Sequence, residues 1–169
     1  MAVIYEGATE QVRQIVHDHA VLRRGLERRS GALCEAVASG VPFERLMMTL
    51  REYMAGQILP HAKAEERTLF QAAAAQARGS DLVGALTAEH HALAYLVGRL
   101  RPGTGGTEAA AVSEWIATLF AGHVARVNDL LLPALTGSGA DLAALLADMH
   151  QPPPPSPAPA RQPETYSQP

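Results

Sequence analysis

Apolar residues recur at intervals of three and four along four separate stretches of the chain, the spacing of a buried stripe on an α-helix. The first stretch runs from about Thr9 to Ala38, with Val12, Ile15, Val16, His19, Leu22 and Leu26 on one face, and Ser39-Gly40 ends it. Pro42 suits a first helical turn, and a second helix is predicted to about Ala77 with Leu46, Met47, Leu50, Met54, Ile58, His61, Glu65 and Leu69 inward. Gly79-Ser80-Asp81 reads as a stop and a cap before a third helix carrying Val83, Leu86, His90, Leu93, Val97 and Leu100. The run Pro102-Gly103-Thr104-Gly105-Gly106 breaks it. Thr107 is placed to cap a fourth helix, whose stripe is Val112, Ile116, Leu119, His123, Val127, Leu130 and Leu131.

Four long helices joined by short polar connections predict an all-α fold, an up-down-up-down four-helix bundle over residues 1–151. A short fifth helix is expected over about Ala140 to Met149. From Pro152 the chain reads PPPPSPAPARQPETYSQP, with little to bury, so residues 152–169 are expected to be a disordered or extended tail.

Composition narrows the function. The 169 residues are 47% apolar with few aromatics, enough for one helical core and too few for a second catalytic domain. Lys and Arg number 14 against 17 Asp and Glu, so no basic excess points to nucleic acid. Cys34 is the single cysteine, the N-terminus MAVIYEGATEQ lacks a basic leader and an apolar segment, and no apolar run reaches membrane-spanning length. A cytoplasmic protein with no membrane partner is the expectation.

The chemistry sits inside the stripes. Each helix carries one histidine where the periodicity demands an inward side chain: His19, His61, His90 and His123. One such histidine alone is usually a hydrogen-bonded core residue. Four together would leave ring nitrogens without partners, at a cost of about 1–3 kcal/mol each. A shared metal satisfies them all. Glu65 follows His61 by four residues, one turn along the same face, and a carboxylate at that depth needs a cation. Imidazoles with a carboxylate on facing helices are the ligands of non-haem iron and related metals, and the lack of a cysteine among them argues against a structural zinc site. A weak internal repeat supports two metals: Asp18-His19-Ala20-Val21-Leu22 is echoed by Glu89-His90-His91-Ala92-Leu93, and His61-Ala62-Lys63-Ala64-Glu65-Glu66 by His123-Val124-Ala125-Arg126-Val127-Asn128.

On these residues, over about 9 to 136, the sequence resembles the hemerythrin-like, His-His-Glu cation-binding family. The resemblance implies two iron ions in a four-helix bundle, oxo- or hydroxo-bridged, with His19, His61, His90 and His123 as terminal ligands and Glu65 as the bridging carboxylate. Family members bind dioxygen, sense oxygen or iron, repair iron–sulfur centres, or turn over peroxide and nitric oxide.

The chain departs from the family pattern in two places. Four and five residues after His123, where an acid is expected, stand Val127 and Asn128, and Asp129 is about 120° off the histidine face. Ala94 stands where oxygen carriers have a further histidine. Fewer ligands favour a diiron redox protein of peroxidase- or catalase-like activity, acting on hydrogen peroxide or nitric oxide, over reversible dioxygen binding. An oxygen-binding or iron-sensing module is the alternative, and the electron donor is unassigned. His17 and His91 lie about 100–200° from their inward neighbours and are expected in solvent, as is His150. Asp18, Glu66 and Glu89 adjoin ligand positions and are either surface charges or partners of an imidazole nitrogen.

Tyr53 also has two readings. On an ideal helix it lies about 12 Å before His61 and its hydroxyl is satisfied in the core. Pro60, which cannot donate to the carbonyl of Gly56, would kink the helix and turn Tyr53 toward the metals, where a phenolate would replace the missing acid. The Ala-, Arg- and Pro-rich composition is similar to that of actinobacterial members, and the resemblance extends to tyrosine ligation there. Tyr53 therefore joins the four histidines and Glu65 as an expected metal ligand.

Overall fold

The computed structural model describes residues 10–76 and 79–151, and the proline-rich tail lies outside the described residues. The helices are α1 (Glu10–Ala38), α2 (Glu44–Tyr53), α3 (Leu59–Arg67), α4 (Leu69–Ala74), α5 (Ser80–Arg99), α6 (Gly106–Arg126), α7 (Leu132–Gly137) and α8 (Leu142–Met149). Elements α2 to α4 form the second long helix and α6 to α7 the fourth, so the bundle is all-α as expected. Helix α1 packs on α2 and α6, α5 packs on α3, α4 and α6, and α4 touches α7. No described helix is long and apolar enough to cross a membrane.

Local chemistry explains where the helices stop. After α1, Gly40 takes the left-handed conformation at φ 66°, and Val41 N–H donates back to the Ala36 carbonyl at 3.0 Å. A side chain there would strain the turn that reverses the chain into α2. Gly139, at φ 76°, closes α7 in the same way, with Ala140 N–H on the Leu135 carbonyl. Asp141 then caps α8, its carboxylate accepting from the N–H groups of Ala143 and Ala144 at 3.1 and 3.0 Å. The cap of α6 is extended Gly105 rather than Thr107, which already lies inside the helix.

Two π turns interrupt the long helices, over Met54–Ile58 and Val127–Leu131, and each ends two residues before a proline, Pro60 and Pro133. Proline has no N–H for the carbonyl four residues back and its ring crowds that oxygen, so a widened turn relieves both defects. The first turn is the distortion foreseen at Pro60. The second corrects the stripe of the fourth helix. One extra residue shifts the phase by about 100°. Leu130, expected inward, is consequently 52% exposed, while Leu131 and Leu132 are fully buried.

A polar layer splits the core in two. One apolar cluster includes Leu26, Ile58, Leu93 and Phe120, the other Ile15, Leu69, Leu86 and Val127. Along α1 the chain passes from the second cluster to the first, along α2–α4 the reverse, along α5 as in α1, and along α6 as in α2–α4. That alternation is the up-down-up-down topology. It puts His19, then His61 and Glu65, then His90, then His123 at the one level where every helix changes cluster.

Close packing of α1 on α2 depends on Gly25. A β-carbon there would collide with the Tyr53 ring and hydroxyl, which is pinned between the Leu22 carbonyl and the Arg29 guanidinium. Gly25→Ala is expected to cost about 1–3 kcal/mol by overpacking, read as a fall in Tm, and the combined Gly25→Ala, Tyr53→Leu variant should recover part of it. A Tm for Gly25→Ala at or above that of the parent would show that the interface yields freely.

Candidate metal centre

Helical spacing brings five side chains to the polar layer. His19, Glu65, His90 and His123 are at most 4% exposed, and the His61 side chain is 16% exposed. Glu65 is the hub. Its Oε1 lies 3.1 Å from His19 Nε2 and 3.5 Å from His61 Nε2, while Oε2 lies 3.2 Å from His90 Nε2 and 3.1 Å from His123 Nε2. The two pairs also close on themselves, at 3.0 Å between the Nε2 atoms of His19 and His61 and 3.1 Å between those of His90 and His123. Ligand atoms of His19, His61 and Glu65 form one group with all separations within 4.8 Å, and those of Glu65, His90 and His123 form another. One carboxylate thus offers a different oxygen to each of two histidine pairs.

The outward nitrogens fix what the inward ones must be. His90 Nδ1 donates to Glu66 Oε1 at 2.8 Å, His123 Nδ1 to Glu89 Oε2 at 3.0 Å, and His19 Nδ1 to Asn128 Oδ1 at 2.7 Å. A neutral imidazole whose Nδ1 donates has a bare lone pair on Nε2. Between His90, His123 and Glu65 Oε2, three acceptors therefore meet at about 3.1–3.2 Å with no proton of their own. Such a cluster is stable only around added positive charge. Either extra protons supply it or a cation does, and the lone pairs converge as ligands of a first-row metal must.

Titration behaviour shows the same demand. Burial alone would lower the pKa of His19 and of His90, but the adjoining Glu65 carboxylate reverses the sign and raises both. Burial alone would raise Glu65, yet where the inward nitrogens carry extra protons, hydrogen bonds from His123, His19, His61 and His90 hold it well below the usual carboxylate range. The carboxylate is ionised, and its histidines compete for whatever cation is at hand.

The remaining residues sort clearly. Glu66 and Glu89 are partners of imidazole nitrogens, and Glu89 also pairs with Arg126. Asp18 instead faces Gln14 and, at 3.7 Å, His150. His17, His91 and His150 are exposed, as is Asp129. Tyr53 is a correction: its hydroxyl donates to the Leu22 carbonyl at 3.0 Å, its ring lies 4.1 Å beneath the Arg29 guanidinium, and it is not brought to the five-residue cluster. The distortion at Pro60 that was expected to swing Tyr53 inward is a π turn that begins after it, at Met54, so the phase shift acts on Ile58 and His61 instead. Burial, opposed by Arg29 and Arg28, keeps the Tyr53 pKa above its ordinary value. Sequence reasoning missed Phe70 and Phe120 as walls of the centre. Phe70 stacks on His90 at 5.2 Å and Phe120 lies 6.3 Å from His123. It also missed Asn128 as the partner of His19.

A cavity of about 830 Å³ reaches the centre from one side. His61, His90 and Glu66 lie along it with Lys63, Arg67 and His91, and Met149 at the end of α8 roofs it together with the following His150. Arg67 ties that roof down by donating to the carbonyls of Asp148 and Gln151 at 3.2 Å.

A family model for the hemerythrin HHE cation binding domain matches residues 11–135. No curated protein and no solved structure matches the chain.

Two outcomes follow from this geometry. Tyr53→Phe should leave metal content and the visible spectrum of the metal-loaded protein unchanged, whereas loss of an absorption band would put the phenolate on the metal. The second outcome concerns pH. In the metal-free protein the raised pKa values of His19 and His90 give stability that is complete below about pH 6.5 and lost as pH rises through the folded values. Glu65, with its lowered pKa, stabilises at higher pH and ceases to do so only in acid. Bound metal needs no such protons. The gap in Tm between metal-loaded and chelated protein should therefore widen from pH 6 to pH 8, and a gap that narrows would contradict the arrangement.

Proposed function

This chain belongs to the hemerythrin HHE cation-binding family, and we propose that it holds two iron ions bridged by Glu65 and turns over a small oxidant, hydrogen peroxide first and nitric oxide as a second substrate. The observation that carries the reading is the meeting of acceptors around Glu65, where each carboxylate oxygen faces its own pair of histidine lone pairs. His19 and His61 would hold one ion, and His90 and His123 the other. Bound iron would supply the one-electron steps that no side chain of the cluster can perform.

The chain's own part is to select, shelter and balance charge. Phe70, Phe120 and the two apolar clusters shield the layer on the sides away from the cavity, so charge there is held largely by fixed groups rather than by solvent. The cavity gives a small neutral molecule a path to the exposed edge of His61. Glu66, 34% exposed and bonded to His90, stands on that path and can pass protons to and from a substrate. Disproportionation balances without an outside reductant. One peroxide takes two electrons and two protons to give two waters, and a second gives up two electrons and two protons to become dioxygen. The reading also places the protein in the cytoplasm, as the single Cys34 suggests.

Iron content and oxygen release from peroxide test this together. The parent protein should carry two irons and evolve oxygen, His61→Ala and Glu65→Ala should each lose at least one iron and nearly all turnover, and His17→Ala, whose side chain is exposed, should match the parent. A parent protein with both irons that evolves no oxygen, and that in its reduced form takes up dioxygen and releases it unchanged under vacuum, would replace turnover with oxygen binding.

A further inference from the structure

The two halves of the centre have different surroundings, although the repeated helix hairpins give them the same histidines. Both imidazoles of the His90 and His123 pair rest on carboxylates: Nδ1 of His90 on Glu66 at 2.8 Å and Nδ1 of His123 on Glu89 at 3.0 Å. Arg126 holds Glu89 from its far side. In the other pair His19 rests on the neutral amide of Asn128 at 2.7 Å, and His61 Nδ1 has no hydrogen bond among the described residues. A carboxylate behind an imidazole makes its inner nitrogen more basic and adds negative charge near the bound cation, whereas an amide only orients the ring. Exposure separates only one residue: the His61 side chain is 16% exposed at the cavity wall, whereas His90, which also lines that cavity, is 4%, His123 2% and His19 1% exposed. Asp18 is the charge that opposes this ranking, since it adjoins His19. Its carboxylate is 30% exposed and turned toward Gln14 and His150, where solvent screens it.

From this contrast, and resting on the two-metal reading above, we infer that the centre is built unequal. The position between His90 and His123 fills first and holds its ion tightly, and the position between His19 and His61 is the weak, exchangeable one. Asn128 sets that weakness. An acid at this position would narrow the gap between the two pairs.

Zinc ions, which are redox-silent, test the inference on the full-length chain stripped of metal, by competition against a chromophoric chelator. The parent should bind two equivalents in steps separated by at least about 10-fold. Glu89→Gln and Glu66→Gln should each weaken the tight step by about 10–100-fold and leave the weak step in place. Asn128→Asp should tighten the weak step. Helical circular dichroism on each variant separates a folding defect from a change in affinity, and the two glutamate variants serve as checks on each other. Two indistinguishable steps in the parent, or glutamate variants that alter the weak step alone, would overturn the inequality while leaving the metal pair intact. A single equivalent bound by the folded parent would instead overturn the pair, and the inference with it.

Discussion

One ionised carboxylate in the middle of the bundle constrains everything around it. Glu65 is fully buried and held below the usual carboxylate range. A carboxylate in that position is costly unless it is surrounded by positive charge or donors. The four inward nitrogens are the groups within reach, and three of them have given their single neutral-state proton to an outward partner. The layer is therefore a set of acceptors that converge on one place, an arrangement that suits a cation. Its helices are close enough to present it because the apolar clusters above and below draw them together. Packing assembles a site that packing alone would not favour.

This division of labour explains the irregular features of the long helices. Each π turn sits beside the polar layer and ends two residues before a proline. In the second long helix the widened turn precedes His61, and in the fourth it follows His123. The two helices run in the same direction, and their wide turns adjust phase on either side of the polar layer. Wide turns in otherwise regular helices commonly accompany functional positions. Here the second one carries Asn128 to His19 and turns Leu130 to solvent.

The inward placement of the histidines and Glu65 was legible in the sequence because a polar side chain at a core position follows the same periodicity as an apolar one. A residue at the right phase of an amphipathic stripe points inward whether it is leucine or histidine, so His19, His61, His90 and His123 announce themselves as polar intrusions. Residues that act sideways gave no such signal. Asn128 reaches α1 from a π turn, and an ideal α-helix gives that position another direction. Pro133 was the available clue, just as Pro60 was for the first turn. Tyr53 shows the opposite error. The distortion at Pro60 was foreseen, but its effect begins at Met54, downstream of the tyrosine, whose hydroxyl has a nearer acceptor in Leu22. Glu66 and Glu89 stood next to Glu65 and His90 in the sequence, yet their partners lie on other helices, His90 for the first and His123 for the second. Only the packing of α3 on α5 and of α5 on α6 decides that.

The claim on which the rest depends is that the acceptors around Glu65 enclose two ions rather than extra protons. Anomalous diffraction at the iron edge, from crystals of the protein as purified, measures this directly. The expected map has two peaks about 3.5–4 Å apart, one between His19 and His61 and one between His90 and His123, each facing its own oxygen of Glu65. A map with no peak at Glu65, or a single peak shared by all four histidines, would contradict the account.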